Sequence, residues 1–125
     1  MDMQTETIRR RRILLVDDER VMRELLKNLL IQQRHIVEEA NNGAEALGLF
    51  TRGRFDLVMT DCVMPFMNGD ELALRIRQLA PRQPILMMTG YNCRRGRNNP
   101  VNAIVYKPLD FDQLHLEMGK LLWRQ

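Results

Sequence analysis

The chain has 125 residues, 45% of them hydrophobic and 28% charged, which suits one soluble globular domain rather than two domains or a disordered polymer. No apolar run approaches the roughly 18 residues of a membrane span, the opening MDMQTETIRRRR lacks the apolar core of a secretory signal, and the wide spacing of Cys62 and Cys93 argues against a disulfide scaffold or a zinc site, with a reducing cytoplasm as the default. The net charge of +3 is local: outside Arg9–Arg12 and the trio Arg94, Arg95 and Arg97, 12 Lys and Arg face 16 Asp and Glu, so nucleic-acid binding would rest on two patches and not on a basic domain.

Residues 1–11 read as a flexible polar tail and 12–125 as the domain. Ile13 to Val16 are four consecutive apolar residues stopped by Asp17, Asp18 and Glu19, the pattern of a strand buried on both faces. From Arg20 the period changes, and Met22, Leu25, Leu26, Leu29 and Leu30 predict a helix to about Gln33. A short second strand follows at His35 to Glu38, then Asn41, Asn42 and Gly43 punctuate, and Ala44, Leu47 and Phe50 mark a second helix stopping near Gly53. Phe55 to Thr60 is a third strand ending at Asp61, before a loop with Pro65, Asn68 and Gly69. Leu72, Ile76 and Leu79 give a third helix closed by Pro81 and Pro84. Ile85 to Met88 is a fourth strand ending at Thr89, and Ala103 to Tyr106 a fifth ending at Lys107-Pro108. The last helix opens at Asp110 as N-cap, with Gln113 three residues on, and buries Leu114, Met118, Leu121 and Leu122. His35 and His115 have no metal-ligand spacing, and Trp123 reads as a terminal core plug.

Alternating strands and helices predict an α/β fold, a doubly wound five-stranded parallel sheet. Gly90 to Asn102 breaks the regularity: Gly90, Gly96 and Pro100 disfavour helix and few residues there can bury an apolar face, so the fourth helix is expected to be atypical or missing. The carboxyl ends of parallel strands share one edge of the sheet, where such folds place their sites. Asp17, Asp18, Asp61, Thr89 and Lys107 therefore converge although they are far apart in sequence. Three close carboxylates repel one another. A hard cation with oxygen ligands relieves that, and Mg²⁺, which keeps waters and binds phosphate oxygens, fits the set. One carboxylate can then attack phosphorus to form an aspartyl phosphate, with a lysine and a hydroxyl meeting the charge of the transferring group.

The acidic pair after Ile13-Leu14-Leu15-Val16, the run Asp61-Cys62-Val63-Met64-Pro65-Phe66-Met67-Asn68-Gly69, Thr89 and Lys107-Pro108 together resemble the response regulator receiver domain of two-component signalling, from about Arg12 to Trp123. The resemblance implies a flavodoxin-like strand order 2-1-3-4-5 and roles position by position. Asp61 resembles the phosphoacceptor, Asp18 a direct Mg²⁺ ligand, Asp17 a carboxylate acting through water, and the Val63 backbone carbonyl a further ligand. Thr89 resembles the switch hydroxyl and Lys107 the lysine that pairs with acceptor and phosphoryl group, with a cis Lys107-Pro108 bond. The implied donor is a sensor histidine kinase or a phosphotransfer protein, passing its phosphoryl group to a receiver that is not itself an enzyme. Two positions depart from the family. Ile104 stands where an aromatic is usual, with Tyr106 two residues on along the same face, and the span from Thr89 to Lys107 is short by about one helical turn.

The leading expectation is a cytoplasmic phosphoacceptor that signals by ordering the 90–102 segment on phosphorylation. The alternative is an interaction module of the same fold that works without phosphorylation. A hydrolase is disfavoured because Val63 stands where a second catalytic Asp is needed, and nucleic acid because Arg94, Arg95 and Arg97 lack an aromatic platform beyond Tyr91. Gln125 follows the last helix directly, which reads as a free-standing receiver or a fragment of a larger protein. The downstream partner, and the choice between monomer and homodimer, are left open.

Overall fold

The computed structural model describes residues 10–90 and 100–123. Five strands and four helices are present among them: β1 (Arg12–Val16), α1 (Arg20–Gln32), β2 (Ile36–Ala40), α2 (Gly43–Arg52), β3 (Leu57–Asp61), α3 (Gly69–Leu79), β4 (Ile85–Thr89), β5 (Ala103–Tyr106) and α4 (Phe111–Trp123). The strands form one parallel sheet in the order β2-β1-β3-β4-β5, the order expected. Of the irregular segment, residues 91–99 lie outside the described residues, so the expectations for Tyr91, for the arginine trio and for a degraded fourth helix fall there too.

Alternation along the central strands splits the core in two. Ile13, Leu15, Leu57, Met59, Leu86, Met88 and Val105 point to one face, where α1 covers them with Leu26 and Leu30 and α4 with Leu114, Met118 and Leu122. Leu14, Val16, Val58 and Ile85 point to the other, against Ala46 and Phe50 of α2 and Leu72, Ala73 and Ile76 of α3. Each such side chain contributes about 1.5–3 kcal/mol on leaving water. The two-sided burial explains why the strands read as unbroken apolar runs and not as alternating ones.

Three of the four described helices start at a side-chain cap, and α1, which follows Glu19, does not. Asn42 accepts from the Glu45 amide and Asn68 from the Glu71 amide, each at 2.8 Å, and Asp110 accepts from the amides of Asp112 and Gln113. Two expectations need correction. Trp123 is 67% exposed: it lies one residue past Leu122, the last buried position of α4, and so turns off the core stripe. Cys62 is disulfide-bonded, against the expectation drawn from cysteine spacing. Wide spacing along a chain does not keep two residues apart in a fold, and the chain's other cysteine, Cys93, lies outside the described residues.

Candidate functional site at the carboxyl edge of the sheet

β1 and β3 are neighbours, and both end in acid. Asp17 follows β1 and is fully buried, Asp61 closes β3 and is 6% exposed, and Asp18 is exposed at the rim. One oxygen from each of the three lies within 4.8 Å of the others. The approach is enforced by backbone. The Asp17 amide donates to the Ala40 carbonyl, fixing Asp17 beyond the end of β1. Its carbonyl accepts from an Arg23 guanidinium nitrogen at 2.6 Å, and Arg23 also donates to Glu39 and Asn41. Arg23 thus ties α1 to the turn after β2 behind the acidic pair, a role that helical periodicity alone does not reveal.

Lys107 follows β5 and crosses β4 to reach the cluster. Its Nζ donates to Asp61 Oδ1 at 3.0 Å, and its amide donates to the Thr89 carbonyl at 2.7 Å. Asp61 Oδ1 also accepts from the Cys62 amide at 2.9 Å. Both bonds fall on Oδ1, so among the described residues the second oxygen of Asp61 carries no hydrogen bond. The Lys107-Pro108 bond is cis, as the resemblance implied. Thr89 is fully buried, paired in register with Tyr106, and its hydroxyl donates to the Gly90 carbonyl at 3.1 Å. Val63 lies two residues beyond Asp61, with its side chain 59% exposed.

The electrostatics are unbalanced. Burial, only partly offset by the hydrogen bond from the Glu19 amide, and repulsion from Asp61 push the Asp17 carboxyl up to about 6. Its Oδ2 is buried with no hydrogen-bond partner. Burial alone would lower Lys107, yet its hydrogen bond to Asp61 and the negative charge of Asp61 and Asp17 outweigh that and raise it, so it is an ammonium at neutral pH. One lysine against three carboxylates leaves an excess of negative charge. A buried, unpartnered carboxylate oxygen beside two other acids is what a hard divalent cation would complete, and the all-oxygen donor set fits Mg²⁺.

The loop after β3 is drawn tight by Gly69, whose amide donates to the Cys62 carbonyl at 2.7 Å. A Cβ at Gly69 would lie 2.2 Å from the Asp61 carbonyl oxygen, so the glycine of the Asp61–Gly69 run is required by close approach. Of the residues singled out in the sequence, Asp17, Asp18, Asp61 and Lys107 come together, and Thr89 closes the strand beside β3. The sequence reading passed over Arg23 and the conformation of Phe66, both of which depend on contacts or dihedrals that no local pattern encodes.

A family model, response regulator receiver domain, matches residues 13–118. The chain belongs to this family. The receiver domain is 39% identical to the response regulator TrrA from Thermotoga maritima, whose structure holds Mg²⁺-BeF, with a TM-score of 0.83 over 89% of this chain and 98% of that one. TrrA has also been solved in complex with the histidine kinase ThkA. Among curated relatives, the transcriptional regulatory protein PcoR of Escherichia coli is 30% identical over 90% of this chain and 52% of its own length. The Halobacterium salinarum chemotaxis protein CheY is 39% identical over 74% of this chain and 78% of its own. The chain spans about half the length of PcoR and 13% of the sensor kinase/phosphatase LuxN of Vibrio campbellii. It is a receiver domain of two-component systems, and no helix among the described residues is long and apolar enough to cross a membrane.

Proposed function

We propose that this receiver domain accepts a phosphoryl group on Asp61 from a phosphohistidine of a histidine kinase or phosphotransfer protein. The observation that carries the reading is the convergence of Asp17, Asp18 and Asp61 within 4.8 Å, with Lys107 bonded to one oxygen of Asp61. Asp61 presents its remaining oxygen to phosphorus. The new bond joins that oxygen to phosphorus, the bond from phosphorus to the imidazole nitrogen breaks, and its electron pair leaves with the imidazole. Lys107 and Cys62 fix the carboxylate through Oδ1, so the attacking oxygen is oriented before the donor arrives. Lys107 then meets a phosphoryl oxygen, and the Thr89 hydroxyl, released from Gly90, donates to another.

Asp17, Asp18, Asp61 and the Val63 carbonyl would hold Mg²⁺, which when bound neutralises charge on the transferring group. Asp18, at the exposed rim, suits direct ligation, and Asp17, held from behind by the Glu19 amide, suits a water-mediated role. In this reading the chain is a phosphoacceptor that assists its own phosphorylation and is not an enzyme acting on other molecules. Incubation with acetyl phosphate and Mg²⁺, followed by intact mass, tests it. Wild type should gain one phosphoryl group and Asp61→Asn none, and a modification retained in Asp61→Asn would remove the assignment.

A further inference from the structure

Phe66 stands apart from every other aromatic in the described residues. Its side chain is 103% exposed, and its φ is +70°, the left-handed region. The Met67 amide donates to the Pro65 carbonyl at 2.7 Å, so Phe66 is the central residue of a γ-turn with positive φ, the rare and strained form. Gly, Asn and Asp take such a φ with least cost, and a bulky aromatic is an outlier there. An exposed phenyl ring gains nothing from its own fold and holds an unfavourable backbone. Strain of this kind collects at functional sites.

The position in the chain says what the ring faces. Phe66 is five residues beyond Asp61, and five residues reach at most about 18 Å even when fully extended. The loop is far from extended, being folded back by the Gly69-to-Cys62 and Met67-to-Pro65 bonds. An ordinary protein interface covers about 800 Å² on each partner, a disc of about 16 Å radius. A protein of ordinary footprint centred on Asp61 therefore covers Phe66 as well. Val63, 59% exposed in the same loop, and Val21, 76% exposed at the start of α1, add apolar surface at the same edge of the sheet.

We propose that Phe66 is an anchor for the phosphodonor protein, inserting into apolar surface beside the donor's phosphohistidine. This rests on the reading of Asp61 as phosphoacceptor. The γ-turn holds the ring away from the domain, and desolvating it on docking gives a contact of the buried-aromatic kind that dominates interfaces. The occupant is a folded protein bearing phosphohistidine, because a small phosphodonor cannot reach both Asp61 and Phe66.

The test compares two donors on Phe66→Asn, Phe66→Gly and Phe66→Leu. One donor is acetyl phosphate. The other is a set of purified, radiolabelled phosphohistidine proteins from the source organism, histidine-kinase cores and phosphotransfer cores alike, followed at short times. Phe66→Asn should lower kcat/KM from the fastest core by about tenfold or more, chiefly through KM, while Phe66→Leu keeps most of the rate. Labelling by acetyl phosphate should be unchanged in all three. Phe66→Asn and Phe66→Gly should unfold at or above the wild-type urea midpoint, since both accept a positive φ. Unchanged transfer from these cores would overturn the proposal, as would an equal loss with both donors, or a wild type that takes label from no core. Failure of acetyl phosphate to label wild-type Asp61 would instead strike the underlying reading, and is seen separately.

Discussion

The two ends of the sheet treat polar groups in opposite ways. At the amino ends of the strands most are matched, although Oε1 of Gln33, at the end of α1, is buried without a hydrogen-bond partner. Arg77, near the end of α3, donates to the carbonyls of Pro81, Gln83 and Pro100 and to Asn102 Oδ1. Asn102 Oδ1 also accepts from the Ile85 amide, and Asp56 accepts from the Arg12 amide. At the carboxyl ends, Asp17 is buried with an orphaned oxygen, three carboxylates share one lysine, and Phe66 is strained and bare. The same apolar core lies beneath both ends, so packing does not account for the contrast. One end ties the chain together. The other leaves bonding capacity unmet, as the proposed phosphoacceptor role requires.

The largest effect expected on stability is at the matched end. Arg77→Met removes a guanidinium bonded to four oxygens and should cost about 2–4 kcal/mol. Urea unfolding followed by circular dichroism measures this, and a loss below about 0.5 kcal/mol, ordinary for surface substitutions, would mean that the clamp contributes little. Next is Gly69→Ala. The added methyl meets the Asp61 carbonyl, and the forced shift should cost about 1–3 kcal/mol and slow phosphorylation by acetyl phosphate, because the displaced atom belongs to Asp61, the proposed acceptor. Normal phosphorylation with wild-type stability would show that the loop relaxes freely.

The contrast also sorts what the sequence made legible. Apolar runs ending in Asp17, Asp61 and Thr89 exposed the buried strands and their polar ends, because two-sided burial leaves an unbroken pattern. Parallel topology then carried those ends to one edge. Strand order came only through resemblance. The Arg77 clamp was invisible, since it joins residues up to 25 positions apart through carbonyls, which every residue possesses. Phe66 was passed over inside a loop motif, because a positive φ at a non-glycine residue leaves no trace in composition. Trp123 misled because a large apolar residue one step off a helical stripe reads like one on it.

A smaller effect concerns pH. Burial, then the neighbouring charges of His115 and Arg11, hold His35 below its ordinary 6.5, with Asp56 opposing, while His35 Nδ1 accepts from the Arg11 amide. The folded domain binds fewer protons here than the unfolded chain, so this contribution to stability is complete above 6.5 and falls away as pH drops through that value toward the lower folded one. His35→Gln should flatten the acid side of the stability profile, and an unchanged profile would remove His35 as a source of it.

The contrast rests most directly on Asp17. Its carboxylate is ionised at neutral pH although burial and Asp61 resist ionisation, so Asp17→Asn should stabilise the cation-free domain. Urea midpoints of wild type and Asp17→Asn, each with and without millimolar Mg²⁺, measure this in one experiment. Expected are a higher midpoint for Asp17→Asn without Mg²⁺, a clear rise for wild type on adding it, and a smaller rise for the variant. A wild-type midpoint that ignores Mg²⁺, or an Asp17→Asn less stable than wild type in its absence, would contradict this reading of Asp17.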